Sequence, residues 1–123
     1  MKVSKYFSDY ELTCRCGCGL YIPNQELLTK LDMLREAIGQ AVLVTSGTRC
    51  PGWNLKVGGK PSSAHLAGEA ADITTLNAGV FETIKLFYLA VTAAGFNRVG
   101  IDLKKFFIHV DVAKTLPPGF WVY

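Results

Sequence analysis

The chain has 123 residues and only two histidines, each with an aspartate close behind it. His65 precedes Asp72 in Ser63-Ala64-His65-Leu66-Ala67-Gly68-Glu69-Ala70-Ala71-Asp72, and His109 precedes Asp111 in Phe106-Phe107-Ile108-His109-Val110-Asp111-Val112. Imidazole and carboxylate together can share a hydrogen bond, pass a proton or ligate a divalent metal. On one continuous helix, His65 and Asp72 would stand about 10 Å apart along the axis, too far for two ligands each about 2 Å from one ion. Gly68 offers the alternative, a loop that folds back and returns Asp72 on the strand that follows. In the second segment a period of two puts Ile108, Val110 and Val112 on one face and Phe107, His109 and Asp111 on the other. The even face is core, and the odd face sets an imidazole beside a carboxylate. Asp72 on a neighbouring strand would complete a set of two histidines and one aspartate with an open fourth position, which is the catalytic type of metal site. Taken singly, a histidine near an aspartate is more often a hydrogen-bonded pair, so spacing alone leaves both readings open.

Periodicity indicates the elements that must hold these residues. Ser8-Asp9-Tyr10-Glu11 reads as a capping box opening a short helical turn. Pro23-Asn24 introduces a helix with Leu27, Leu31, Leu34 and Ile38 on one face, ended by Gly39. Residues 41–45, rich in Val, form a buried strand. Residues 46–68 are punctuated by Gly, Pro, Ser and Asn, a long loop of the kind that usually carries function. A short strand over 69–73 and a helix over 78–94 follow, the helix with Val80, Ile84, Phe87 and Val91 facing the core and Gly95 beyond its end. Residues 98–102 and 106–112 read as strands joined at 103–105, and Pro117-Pro118-Gly119 turns the chain into a last strand over 120–123. The order predicts an α+β fold with two main helices and a small, mostly antiparallel sheet. The length suits one domain, residues 1–123.

Composition removes several function classes. Half the residues are hydrophobic, with seven Phe, five Tyr and two Trp, which excludes disorder. The net charge of +3, from 13 basic and 10 acidic residues, is too small and scattered to argue for nucleic acid. The longest uncharged apolar stretch, residues 86–95, is about half the ~20 residues of a membrane span. The N-terminal residues MKVSKYFSDYEL lack the apolar centre of a secretory signal, so synthesis in the cytoplasm is expected. Cys14, Cys16 and Cys18 lie in the run CRCGCG, and Cys50 follows Ser46-Gly47-Thr48-Arg49. C-x-C-x-C is not the C-x2-C knuckle of a zinc ribbon, so reduced or partly paired thiols are the first expectation, ahead of disulfides or a metal cluster.

The order of the residues goes further than their spacing. SSAHLAGEAAD followed by FIHVDV resembles the S-x-H-x-x-G-x-A-x-D and H-x-D motifs of the M15 zinc peptidases, the family of D-alanyl-D-alanine carboxypeptidases, murein endopeptidases and phage lysins. TSGTRCPGWN is similar to the family's SGxR-x-x-x-x-N stretch, with Val57-Gly58-Gly59 as its glycine turn. The CRCGCG run and the closing Trp121-Val122-Tyr123 resemble the short, single-domain branch with phage and bacterial members.

This resemblance implies a hedgehog/DD-peptidase-like fold in which zinc is held by His65, Asp72 and His109. Arg49 would bind the substrate's carboxylate or polarise its carbonyl, and Ser63 would orient substrate or shape the loop. The activity implied is metal-assisted hydrolysis of a peptidoglycan peptide bond involving a D-amino acid, by a monomer acting at the cell wall. In the better-known branches a general base stands three residues before the last histidine as Glu or Asp, or two before it as His. Here those positions hold Phe106 and Phe107, which take no proton. Asp111, as base or as orienter of His109, is the leading replacement, ahead of Asp102 and Glu69. The missing base also keeps open a non-catalytic zinc-bearing binding module, as in the hedgehog signalling domain.

Overall fold

The computed structural model describes residues 1–123. The chain opens with α1 (Asp9–Leu12), where the Glu11 carboxylate accepts the Ser8 N–H at 2.7 Å. Helix α2 (Gln25–Ile38) begins where Asn24 Oδ1 accepts the Leu27 N–H at 2.9 Å and stops at Gly39, whose φ of 70° is left-handed. Its Leu27, Leu31, Leu34 and Ile38 are buried, the stripe that their spacing predicts, and Leu28 is buried beside them.

Strand β1 (Val42–Ser46) leads into the long loop, which is not structureless. It contains α3 (Pro51–Lys56) and a 3₁₀ turn (Ala64–Ala67), both short enough for proline, glycine and serine to have masked them. Strand β2 (Ala70–Thr75) and helix α4 (Val80–Thr92) follow. The buried stripe of α4 is Thr83, Leu86 and Ala90, with Val80 and Ile84 nearly half exposed. This corrects the expected face at Val80 and Ile84, while the expected Phe87 and Val91 do pack against the core, partly buried. The helix is apolar almost all round, so its period marks no unique face, and the small Ala90 is the side that packs tightly into the core.

Strands β3 (Arg98–Asp102), β4 (Phe107–Asp111) and β5 (Gly119–Val122) complete a five-stranded sheet in the order β1-β2-β4-β3-β5. All its pairings are antiparallel except β3 with β5. Ala71, Ile73, Ile108, Val110 and Val99 bury one face of the sheet against α2 and α4. The opposite face of β2 and β4 carries Asp72, His109 and Asp111. Between β3 and β4, Asp102 Oδ1 accepts the N–H groups of Lys104 and Lys105 at 2.9 and 2.8 Å, and Phe106 takes a φ of 59°. Asp102 thereby closes a turn.

Candidate metal centre

Pairing in the sheet does what spacing left open. Asp72 on β2 and His109 on β4 are direct partners across the antiparallel ladder, so their side chains rise together from one face. His65 reaches the same point from the 3₁₀ turn. That turn is capped by Ser63, whose Oγ accepts the His65 N–H at 3.3 Å, and it ends at Gly68 with φ 71°. A Cβ on Gly68 would run into the carbonyl and side chain of Ile22, so glycine is required both by the backbone angle and by the close approach.

His65 Nε2 lies 3.2 Å and His109 Nδ1 3.1 Å from the same Asp72 oxygen, Oδ1. The other nitrogen of each ring assigns the tautomer. His65 Nδ1 is 2.7 Å from the Gly47 carbonyl and must donate to it, and His109 Nε2 donates to Asp111 Oδ2 at 2.7 Å. In the neutral rings, Nε2 of His65 and Nδ1 of His109 therefore present lone pairs toward a carboxylate oxygen. The three atoms lie within 4.8 Å of one another. Three lone pairs aimed at one point repel unless a proton or a cation sits among them. Ligands about 2.0–2.1 Å from a tetrahedral zinc stand roughly 3.3 Å apart, so the donor set fits a zinc-sized ion in both chemistry and spacing.

Both the aspartates and the rings are held from behind. Arg49 Nη2 binds Asp72 Oδ2 at 3.1 Å, while its Nε and Nη1 donate to Ser46 Oγ at 3.0 Å and Asn54 Oδ1 at 3.3 Å. Asp111 is 1% exposed, and its Oδ1 accepts from Arg98 Nε at 2.8 Å and the Ala113 N–H at 3.1 Å. Arg98 is fixed in turn by the Pro117 carbonyl and by the Trp121 ring, 5.2 Å from the guanidinium. Burial opposes the Asp72 charge, yet with a proton on the ring nitrogens that face it, hydrogen bonds from His109 and His65 hold its carboxyl well below the usual carboxylate range. Burial also opposes charge on His109 and Asp111, but their mutual bond prevails, raising the histidine's pKa and lowering the aspartate's.

These residues floor an open cleft of about 530 Å³. Arg49, Lys60 and Arg98 supply positive charge along it, and Phe107, Trp121 and Tyr123 give it an aromatic side. Trp121 also packs on His109, with ring centroids 5.4 Å apart; a Cβ on Gly100 would overlap the indole, so that glycine makes room for it. Ser63 lines the cleft near His65. The acidic side chains in the lining are Asp72 and Asp111, and both are committed to partners; Glu69 and Asp102 are not in it. Asn54, Arg98 and the Gly47 carbonyl were not singled out from the sequence. Asn54 is the asparagine of the SGxR-x-x-x-x-N stretch, so its motif was a signal, whereas Arg98 and Gly47 are brought in only by register and loop path.

A family model described as Peptidase M15 matches residues 5–111 of this chain. No curated protein gives a significant match.

Proposed function

The chain belongs to the peptidase M15 family, a family of metallopeptidases, and from that premise we propose that it hydrolyses a peptidoglycan peptide bond involving a D-amino acid. The observation that carries the reading is the convergence of the His65, Asp72 and His109 lone pairs within 4.8 Å at the floor of an open cleft. His65 Nε2, Asp72 Oδ1 and His109 Nδ1 are the atoms that would hold zinc. Bound there, zinc supplies a Lewis acid for the scissile carbonyl and lowers the pKa of a coordinated water toward ~7.

The residues of the chain do the positioning. Gly47 and Asp111 fix the two imidazole tautomers so that the ligating nitrogens carry lone pairs. Arg49 holds the Asp72 oxygen that faces away from the histidines. Three of its five N–H donors are used within the protein, which leaves two for a substrate carboxylate or carbonyl. Asp111, with both oxygens occupied, acts as an orienter of His109 rather than as a base. Ser63 shapes the turn that presents His65. The cationic and aromatic lining suits a short peptide rich in carboxylates, which is the chemistry of a peptidoglycan stem, and such a substrate places the action at the cell wall.

The test is incubation of zinc-loaded protein with purified sacculi and with a synthetic stem peptide ending in D-Ala-D-Ala, followed by mass spectrometry of the products. Release of D-alanine, or of newly exposed amines in the sacculi, is expected, with loss on chelation and in His109→Ala. The absence of an uncommitted carboxylate in the cleft favours one second reading, a zinc-bearing module that binds the stem peptide without cutting it. Binding with no product from either substrate would replace the first reading by this one.

A further inference from the structure

The metal site proposed in the cleft leaves four thiols unused. Cys14, Cys16, Cys18 and Cys50 are all free, and their sulfurs lie within 4.8 Å of one another. Cys14 Sγ is 3.5 Å from Cys16 Sγ, which is 3.6 Å from Cys50 Sγ. Four thiolates about 2.3 Å from a tetrahedral zinc stand roughly 3.8 Å apart, close to these separations. We propose that the four cysteines form a second, structural metal site, closed around one zinc ion.

The backbone is shaped for this convergence. The Cys14 N–H donates to the Leu20 carbonyl at 2.8 Å, closing the neck of the loop. Within it Gly17 and Gly19 take φ values of 90° and 81°, left-handed angles that side chains rarely adopt. The two glycines reverse the chain so tightly that alternate residues of CRCGCG turn their sulfurs to a common centre. Cys50 comes from elsewhere, as the residue that caps α3. Two N–H groups already point at sulfur, from Cys50 to Cys14 Sγ and from Trp53 to Cys50 Sγ, each at 3.4 Å. Donors at sulfur stabilise the thiolate over the thiol.

Disulfides serve this arrangement less well. Cys50 can enter only one bridge, so a second bridge would have to join two of Cys14, Cys16 and Cys18. That bridge would lie within residues 14–18, whereas all four thiols stand free and share one centre. A single ion takes all four sulfurs at once. Iron–sulfur clusters spread their thiolates over separate irons, whereas these four surround one point. On binding, each thiol gives its proton to solvent and no electrons are exchanged. With four protein ligands and no open position, the site is structural. It ties the loop at 14–18 to Cys50, the neighbour of Arg49.

The site shares no ligand with the cleft, so the two stand or fall separately. His65→Ala/His109→Ala protein, purified under reducing conditions, isolates the cysteine site. Elemental analysis should find about one zinc per chain, released as a mercurial thiol reagent titrates the cysteines and read by a zinc-binding dye. Cobalt in its place should show an intense thiolate-to-metal charge-transfer band. Cys16→Ser/Cys18→Ser should lose this ion while unaltered protein carries about two. Four freely reactive thiols in metal-free, folded double-histidine variant would overturn the proposal, as would an intact mass showing disulfides. Iron recovered at the site instead of zinc would overturn the identity of the ion. Because the mercurial titration also works on the unaltered protein, a cysteine variant that fails to fold does not remove the test.

Discussion

Asp111→Asn keeps the size of a buried side chain and changes only what its two terminal atoms can accept. The carboxylate takes three N–H groups, His109 Nε2 at 2.7 Å on one oxygen and Arg98 Nε at 2.8 Å with Ala113 N at 3.1 Å on the other. Asparagine has one acceptor oxygen to offer. If that oxygen faces His109, the amide NH2 meets two donors. If it faces Arg98 and Ala113, the NH2 meets His109 and favours the tautomer protonated at Nδ1, the atom proposed to ligate zinc. A buried donor left without a partner costs about 1–3 kcal/mol. Loss of a ligand's orienting partner costs about 10–100-fold in metal affinity, or roughly 1.4–2.7 kcal/mol, so the two routes agree in size. Zinc affinity, measured by competition with a chromophoric chelator, should therefore fall about 10–100-fold. Hydrolysis of the stem peptide at saturating zinc should fall by much less. The opposite split, with zinc affinity unchanged and turnover down by about 10²–10⁴, would make Asp111 a general base and refute the reasoning.

His65→Ala, Asp72→Ala and His109→Ala should each abolish zinc binding in the cleft, as elemental analysis would register; full occupancy in all three sinks the ligand set. Arg49→Lys keeps the charge but one ammonium cannot reach Ser46, Asn54 and Asp72 together, so peptide turnover should fall at least tenfold by a product assay. Gly68→Ala puts a Cβ on a φ of 71° and against Ile22, and urea unfolding should show a loss above about 2 kcal/mol. Asp102→Ala should lower the melting temperature by loosening the β3–β4 turn, with zinc affinity and turnover unchanged.

Most of the sheet was legible because its strands carry their faces in the alternation of residue types. FIHVDV announces one apolar and one polar face, and nothing in the fold competes with that assignment. The helix over 25–38 was equally readable, since polar residues delimit its leucine stripe. Helix α4 was readable as a helix but only in part as a face, because VFETIKLFYLAVT is apolar on several sides and only packing selects Leu86 and Ala90 over Ile84. At the site, residue order brought out His65, Asp72 and His109. The partners that hold them are not local. Arg98 meets Asp111 through the β3–β4 register, and the Gly47 carbonyl reaches His65 through the path of a loop. The cysteines show the same limit, since C-x-C-x-C spacing does not say that Cys50 comes to stand with Cys14, Cys16 and Cys18, their sulfurs within 4.8 Å of one another. Gly17 between Cys16 and Cys18, and Gly19 just after, take left-handed angles that the spacing does not announce.

The loop that follows β1 explains how an irregular segment can hold a site with fixed geometry. The β1–β2 register shifts between Val44 and Ser46, a bulge that redirects the chain as it leaves the sheet opposite Asp72. Each of the next residues is then tied down. Ser46 Oγ accepts from Arg49 Nε, and the Gly47 carbonyl accepts from His65. Thr48 donates its N–H to Leu12 O at 2.9 Å and accepts the Ile22 N–H on its hydroxyl at 3.2 Å. The Arg49 N–H donates to the His65 carbonyl at 3.0 Å, and Cys50 stands among the thiols. Ordering backbone costs about 1–2 kcal/mol per residue, and a stretch with no ladder of its own recovers that only through such individual bonds. Gly47 shows how little slack remains, since a Cβ there would stand 2.6 Å from Leu12 O. Residues 46–50 thus connect three things at once: the tautomer of His65, the orientation of Asp72 and the anchor of the cysteine loop. Metal bound by the four sulfurs would stiffen the end of this segment next to Arg49, so emptying that site should loosen Arg49's hold on Asp72 before it disturbs the sheet.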